Sequence, residues 1–334
     1  MPALPPPIAI LQMIGGYWIS RMLYVATELG IADLIDERPR PASELADATG
    51  MHPRALYRVL RALAGVGLFT EDEAGNFHLT PIGHTMCRNA LDSMRAMILS
   101  ELEGEHFDAW TNLAQSVKTG EIAFDHKYGQ NVWEYYAETP ARAAIFNESM
   151  TNVSEATNAA VVAAYDFSSI RKLVDIAGGH GSLLAGILSA NPHLHGVLFD
   201  QPHVVNGSGA KLAHLSDRCE VIGGNMFQEV PSGGDAYLMK WIIHDWDDER
   251  SLTILKNCHR AMPENGKLLL VEMIVPPGNE MHFAKLLDIN MLVMTGGCER
   301  TETEYAELFA QAGFKLTRIV PTAGPTCVIE AVRV

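Results

Sequence analysis

The chain has 334 residues, 48% hydrophobic and 19% charged, which is the composition of a globular protein long enough for two domains. Its formal charge is −15, with 8 Lys/Arg against 10 Asp/Glu in residues 1–100 and 17 against 30 in residues 101–334, so neither part has the basic excess of a phosphate-binding surface. No apolar run reaches the roughly 18 residues that span a bilayer, no basic-then-apolar leader opens the chain, and the five cysteines lack CxxC or CxxH spacing; a reduced cytoplasmic protein without a disulfide or zinc framework is expected.

The first long segment, IAILQMIGGYWISRMLYVATELGIADLI, is amphipathic and rich in apolar residues. It carries more apolar surface than a small domain covers, so residues 8–35 are expected to pack on a second copy of the chain. Ser43 is placed to cap SELADATG, which Gly50 ends. Pro53 opens a second helix, with Leu56, Val59, Leu60 and Leu63 as its apolar stripe. LFTE, a DEAGN turn and FHLT then read as a hairpin, which makes residues 1–100 a winged-helix-like domain. Arg54, Arg58 and Arg61 share one face of the would-be recognition helix and raise DNA binding as a possibility, but Glu71, Asp72 and Glu73 on the wing oppose it.

Residues 101–165 read as a mainly helical linker. From 166 to 334 the rhythm changes: KLVDIA, GVLFD, CEVIGG, AYLMKWI, GKLLLVEMIV, KLTRIV and CVIEAVRV are short β-branched runs, most of them separated by helical patterns. That alternation predicts an α/β fold with a mostly parallel, doubly wound sheet. The last two runs are joined only by PTAGPT, so the sheet should end in an antiparallel hairpin.

The strand KLVD enters IAGGHGS and then a helix, an arrangement in which glycines let a ligand approach the backbone at a helix N-terminus. The dinucleotide pattern G-x-G-x-x-G fails, because Leu184 stands where the third glycine belongs. Asp175 on the strand side suits a cationic cofactor better than a pyrophosphate. Asp200, ending GVLFD, is placed to accept bonds from ribose hydroxyls.

Together these stretches resemble the S-adenosylmethionine-dependent O-methyltransferases of small molecules, a family that includes plant caffeic acid and isoflavone, hydroxyindole, and bacterial phenazine and anthracycline enzymes. LVDIAGGHG looks like the family's LVDxGGGxG, VLFDQPHV like its strand-end acid, GGNMF like GGDMF, and KWIIHDW like KxxxHDW; GGCERT and FNESM match too. The resemblance implies a Rossmann-like class I methyltransferase fold behind an N-terminal dimerisation domain, hence a homodimer. S-adenosyl-L-methionine would be the cofactor, and S-adenosyl-L-homocysteine the product. It further implies that Asp200 binds the ribose, that Asn225 with Met226 and Phe227 serves the adenine, and that Asp175, Gly178, Gly179, Gly181, Lys240 and Ser154 line the rest of the cofactor site. Lys240 also reads as a solvent-facing lysine at a strand end. Two residues depart from the pattern. Ala177 replaces the first loop glycine, which requires negative φ there. Asn225 replaces an acid, but its side-chain oxygen can still accept a bond.

His244 follows a strand, where ligands of parallel sheets bind, and is read as the general base. Glu272 ends the next strand and Glu299 follows the Gly296–Gly297 turn, at the positions where the family keeps glutamates around its catalytic histidine. Asp247 and Asp248 are read as helix-capping acids, not metal ligands. For the substrate, resemblance points to Trp133, Phe146 and Met150, with Met291 and Met294 beside them. The expected acceptor is a hydroxyl on a flat aromatic molecule, not an amine, a carboxylate or a nucleic acid. Two rivals stand beside this reading: a winged-helix regulator that senses a metabolite through its C-terminal domain, and a nicotinamide oxidoreductase.

Overall fold

A computed structural model of the chain describes residues 5–206 and 209–334. They form two compact units, Met1–Asp108 with Trp133–Val153, and Ala109–Val132 with Ser154–Val334. The segment 101–165 thus contributes to both units.

In the first unit a helix over Pro6–Glu28 begins at prolines, and Gly30, in the left-handed region, separates it from a second helix, Ile31–Glu37. A two-residue strand β1 (Arg40–Pro41) precedes the helix Ala42–Thr49, whose end is closed by left-handed Gly50. Ser43 does not cap this helix. Pro41 occupies the cap position and Ser43 lies inside the first turn. Pro53 does open the next helix, Pro53–Gly65, which buries Leu56, Leu60 and Leu63 against Leu45, Phe69 and Phe77. The hairpin forms from β2 (Phe69–Glu71) and β3 (Asn76–Leu79), and β1 pairs with β3 to give a three-stranded wing. At its tip Asp72 accepts hydrogen bonds from the Ala74 and Asn76 amides, and His78 beside it holds its carboxyl well below the usual range.

The helix Pro6–Glu28 leaves Ile10, Leu11, Ile14, Tyr17 and Trp18 exposed. With a mean hydropathy of 1.2 it is also long and apolar enough to cross a membrane by length and composition, which the sequence reading did not allow. It is an exposed apolar face, of the kind that marks an interaction surface.

The second unit is built on strands β4 (Lys172–Ile176), β5 (His195–Asp200), β6 (Cys219–Gly223), β7 (Ala236–Lys240), β8 (Lys267–Glu272), β9 (Phe314–Pro321) and β10 (Cys327–Arg333), in the order β6-β5-β4-β7-β8-β10-β9. The first five in this order are parallel, while β10 runs antiparallel to both β8 and β9 as the hairpin required. Alternate residues of the central strands face opposite ways. Val174, Ile176, Tyr237 and Leu268 pack on the helices Asp248–Ala261 and Glu302–Gln311, and Leu173, Leu238 and Leu269 pack on the helix Ser182–Ala190. Burial on both faces explains why these strands read as continuous apolar runs. The chain winds outward from β4 through β5 and β6, then returns to place β7 on the other side of β4. The strand order therefore reverses between β4 and β7, and ligands of open α/β sheets bind beyond the carboxyl ends at such a point.

Candidate active site

Two turns leave the sheet at this reversal. The turn after β4 carries Asp175 at its root, 2% exposed, with one carboxylate oxygen lacking any hydrogen-bond partner. Burial pushes its carboxyl up to about 7, Lys240 opposing and nearby Asp200 adding to the rise. Ala177 has φ +53°, so the expectation of negative φ was wrong. An alanine here accepts the left-handed strain that glycine would avoid, because the turn must still fold over the strand end. Gly178 is required by space: a Cβ would stand 2.5 Å from an Asp175 oxygen and 2.7 Å from Leu198. Gly179 and Gly181 take positive φ, and Gly181 is the N-cap of the helix Ser182–Ala190. The Gly179 amide donates to Asp200 Oδ2 at 2.8 Å and the Gln201 amide to Oδ1 at 2.6 Å, which fixes the carboxylate and leaves each oxygen a further lone pair.

The other predicted cofactor residues lie in the same unit. Asn225 is exposed, and its side-chain oxygen accepts the Phe227 amide at 2.9 Å. Asn257 donates to the Met226 carbonyl at 2.7 Å, and Phe227 meets Trp246 edge-on with ring centres 4.9 Å apart. Lys240 is not a solvent-facing strand-end lysine. It is half-buried, its Nζ donates to Asn158 at 2.8 Å and lies 4.7 Å from the Trp241 ring centre, and burial lowers it to about 8. Ser154 is half-buried on the helix Pro140–Ala164.

The turn after β7 opens with Trp241 at φ +55° and places His244 in a short 3-10 turn, Ile243–Asp245, with 8% exposure. Glu299 Oε1 lies 2.6 Å from His244 Nδ1. In the neutral ring that bond puts the hydrogen on Nδ1 and makes Nε2 the acceptor. Glu272 Oε2 is 3.8 Å from Nδ1, while Glu272 Oε1 accepts the Ile242 and Ile243 amides at 3.1 and 3.0 Å. Burial by itself would lower the proton affinity of His244, but Glu272, Asp245 and Glu299 outweigh it and raise the imidazole to about 10. Burial also pushes Glu272 upward, against the pull of His244. These tendencies compete. The two amide bonds favour the Glu272 carboxylate, so the raised histidine is the direction that prevails.

Three features of this turn carried no assignment at the sequence level. A Cβ on Gly297 would fall on the His244 carbonyl oxygen and the Asp245–Trp246 peptide, so only glycine lets the Glu299 loop approach this closely. Buried Arg300 donates to the carbonyls of Ile243 and Trp246, both at 3.1 Å, and to Asp248 at 2.7 Å. Asn158 holds Lys240. The charged neighbour of Glu299 within GGCERT was the one available signal. Asp247 caps the following helix by accepting the Arg250 amide at 2.8 Å, as read. Ligand atoms of His244, Glu272 and Glu299 all lie within 4.8 Å of one another, close enough to hold a cation as well as a proton.

Of the predicted substrate contacts, Trp133, Phe146 and Met150 belong to the first unit and Met291 and Met294 to the second. Phe146 stacks on Tyr136 at 4.8 Å, and Trp133 meets Phe146 edge-on at 6.2 Å. Met291 and Met294 are buried on the helix Phe283–Met294.

An O-methyltransferase domain matches residues 110–315, and an O-methyltransferase dimerisation domain matches residues 11–89. The phenazine O-methyltransferase of Lysobacter antibioticus is 45% identical over 98% of this chain and 97% of its own. A phenazine-1-carboxylate N-methyltransferase of Pseudomonas aeruginosa is 33% identical over 97% and 96%. The crystal structure of an O-methyltransferase from neocarzinostatin biosynthesis, in complex with S-adenosylmethionine and 2-hydroxy-5-methyl naphthoic acid, superimposes with a TM-score of 0.80 at 30% identity, covering 94% of this chain and 96% of that one.

Proposed function

Since the chain belongs to the S-adenosylmethionine-dependent O-methyltransferases of small-molecule biosynthesis, we propose that it methylates a phenolic hydroxyl of a flat aromatic metabolite with His244 as general base. The observation that carries this reading is the 2.6 Å bond between His244 Nδ1 and Glu299, which makes Nε2 the proton acceptor when the ring is neutral. The turn after β4 fits the cofactor: open space lies where a Cβ on Gly179 would stand, and one Asp175 oxygen has no hydrogen-bond partner among the described residues. Asp175, Gly178, Gly179, Gly181, Lys240 and Ser154 would hold its methionine end and loop side, Asp200 its ribose, and Asn225, Met226 and Phe227 its adenine.

When bound, S-adenosylmethionine supplies an electrophilic methyl group on a sulfonium, and the S–C bond pair leaves on sulfur to give S-adenosylhomocysteine. The residues of the chain manage the other proton. A phenol, with a pKa near 10, would lose its proton to an ordinary histidine of about 6.5 only at a cost of roughly 5 kcal/mol. Raising His244 to about 10 matches it to the phenol, so that in the neutral ring, formed once the imidazolium has lost its own proton, Nε2 takes the hydroxyl proton as the C–O bond forms. Glu299 fixes the ring and stabilises the imidazolium, the role an aspartate has in serine hydrolases. Glu272 braces the turn through its two amide bonds.

Within the second unit, which also holds His244, Met291 and Met294 offer thioether surface to an acceptor; Trp133, Phe146 and Met150 are candidate contacts by resemblance alone. A nitrogen acceptor, such as the name of the Pseudomonas relative indicates, would place a different demand on the base. Oxygen is favoured here because His244 is matched to a proton that phenols retain at neutral pH. The dimerisation domain and the exposed apolar face of Pro6–Glu28 support a homodimer with residues 8–35 in its interface. The free cysteines suit a cytoplasmic enzyme. The test is transfer of labelled methyl from S-adenosylmethionine to a panel of phenols, aliphatic alcohols, amines and carboxylic acids. Transfer to phenols is expected; robust transfer to nitrogen or carboxylate with none to any phenol would overturn the reading.

A further inference from the structure

Three side chains of the first unit that the chemistry above does not use converge at its surface: Asp36, His84 and Cys87. Asp36 lies on the helix Ile31–Glu37. His84 ends the short helix Pro81–His84, which Thr80 caps by accepting the Gly83 amide at 3.0 Å, and the Cys87 amide donates to the His84 carbonyl at 3.0 Å. One turn before Asp36, Asp33 accepts the Arg88 amide at 2.8 Å, which fastens this turn to the helix.

The spacing suits ligands that share an ion. His84 Nε2 stands 3.7 Å from an Asp36 oxygen, too far for a hydrogen bond. Two nitrogen or oxygen ligands about 2.1 Å from one tetrahedral ion stand roughly 3.4 Å apart. One ligand atom from each of the three residues lies within 4.8 Å of the other two, so small rotations of the exposed Asp36 and His84 bring all three onto one ion above the buried sulfur. Charge favours a cation as well. Burial, then Asp36 and Asp33, push the Cys87 thiol up to about 11. The arginines that follow Asp36 are committed elsewhere, Arg38 to Glu44 and Arg40 to Glu37 and Glu44.

We infer that Asp36, His84 and Cys87 bind a zinc-like divalent cation through one carboxylate oxygen, one imidazole nitrogen and one thiolate, with water completing the tetrahedron. Sulfur and nitrogen donors select zinc over magnesium or calcium, which take oxygen. On binding, the thiol proton leaves to water and the sulfur lone pair goes to the metal. The ion ties the helix Ile31–Glu37 to the turn after the wing and takes no part in methyl transfer. Cysteine spacing could not announce it, because the carboxylate comes from a helix that precedes the whole wing in sequence.

The experiment titrates cobalt(II) into the full-length enzyme after metal has been removed. Cobalt on a thiolate absorbs in the near-ultraviolet by sulfur-to-metal charge transfer, which the sulfur-free cluster of His244, Glu272 and Glu299 cannot give. Wild type should show that band, saturating at one cobalt per chain, and zinc should displace the cobalt and raise the melting temperature. In His84→Ala and in Asp36→Asn, both at exposed positions, affinity should fall at least about tenfold and the rise in melting temperature should shrink with it. Cys87→Ser should abolish the band; because this side chain belongs to the buried core, the two exposed variants decide if it does not fold. Absence of the band in wild type overturns the inference. So does a band with zinc stabilisation that survives both exposed substitutions unchanged, which would assign the metal to another cysteine.

Discussion

The turn after β4 and the turn after β7 leave neighbouring strands, and among the described residues they contain the two non-glycine positions with positive φ, Ala177 and Trp241. They are secured differently. The first is held by its own backbone and the next strand end: glycines at 178, 179 and 181 and the amide bonds to Asp200. The second is held by side chains distant in sequence, Glu272 beneath its amides, Arg300 on its carbonyls and Glu299 on the imidazole. On the proposed function, the first turn would grip a cofactor shared by a whole family through local backbone geometry. The second, proposed to hold the base, has that base's proton affinity set by charges brought in from other elements.

That difference can be broken most severely at His244. His244→Ala should lower kcat about 10²–10⁴-fold, the usual cost of losing a general base, while S-adenosylmethionine affinity by calorimetry stays near wild type. Comparable losses in both would mean that the two turns are not separable. EDTA should leave the wild-type rate intact; a loss restored by a divalent cation would show that the His244, Glu272 and Glu299 cluster acts through a metal.

Gly297→Ala comes next. The added methyl collides with the His244 carbonyl, so the Glu299 loop must withdraw, with a stability loss of about 1–3 kcal/mol by thermal melting. Activity should fall further than the stability loss explains, because the Glu299 bond is stretched. An active variant with an unchanged melting temperature would contradict the close approach. Ala177→Gly is the smallest change. Relief of left-handed strain, offset by the entropy of an added glycine, should raise stability by no more than about 1 kcal/mol. A clear drop in melting temperature would show that Ala177 is not strained.

The contrast also explains what the sequence could and could not reveal. The strand, glycine turn and helix after β4 and the capping acid Asp247 were readable because these pieces follow one another along the chain. Ala177 misled because a turn's φ is set by where the chain must go next, not by the residue's own preference. Ser43 misled for a similar reason: the two-residue strand β1, too short to show any alternation, moved the start of the helix back onto Pro41. His244 and its two glutamates were found from strand ends and resemblance together. Gly297, Arg300 and Asn158 stayed hidden because their partners lie on other elements, and pairing across a fold has no sequence period.

The central claim is that carboxylates from elsewhere in the chain raise the basicity of His244. It is tested most directly by the pH dependence of kcat/KM for wild type and Glu299→Gln. A raised imidazole is still protonated at neutral pH and becomes a base only as the proton is lost, so wild-type kcat/KM should keep rising with pH above 7, toward an ionisation near 10. Glutamine keeps the shape of Glu299 but removes its charge, so the rising limb should move toward the ordinary histidine value of about 6.5. A limb already near 6.5 in wild type, or one that does not move in Glu299→Gln, would contradict the account.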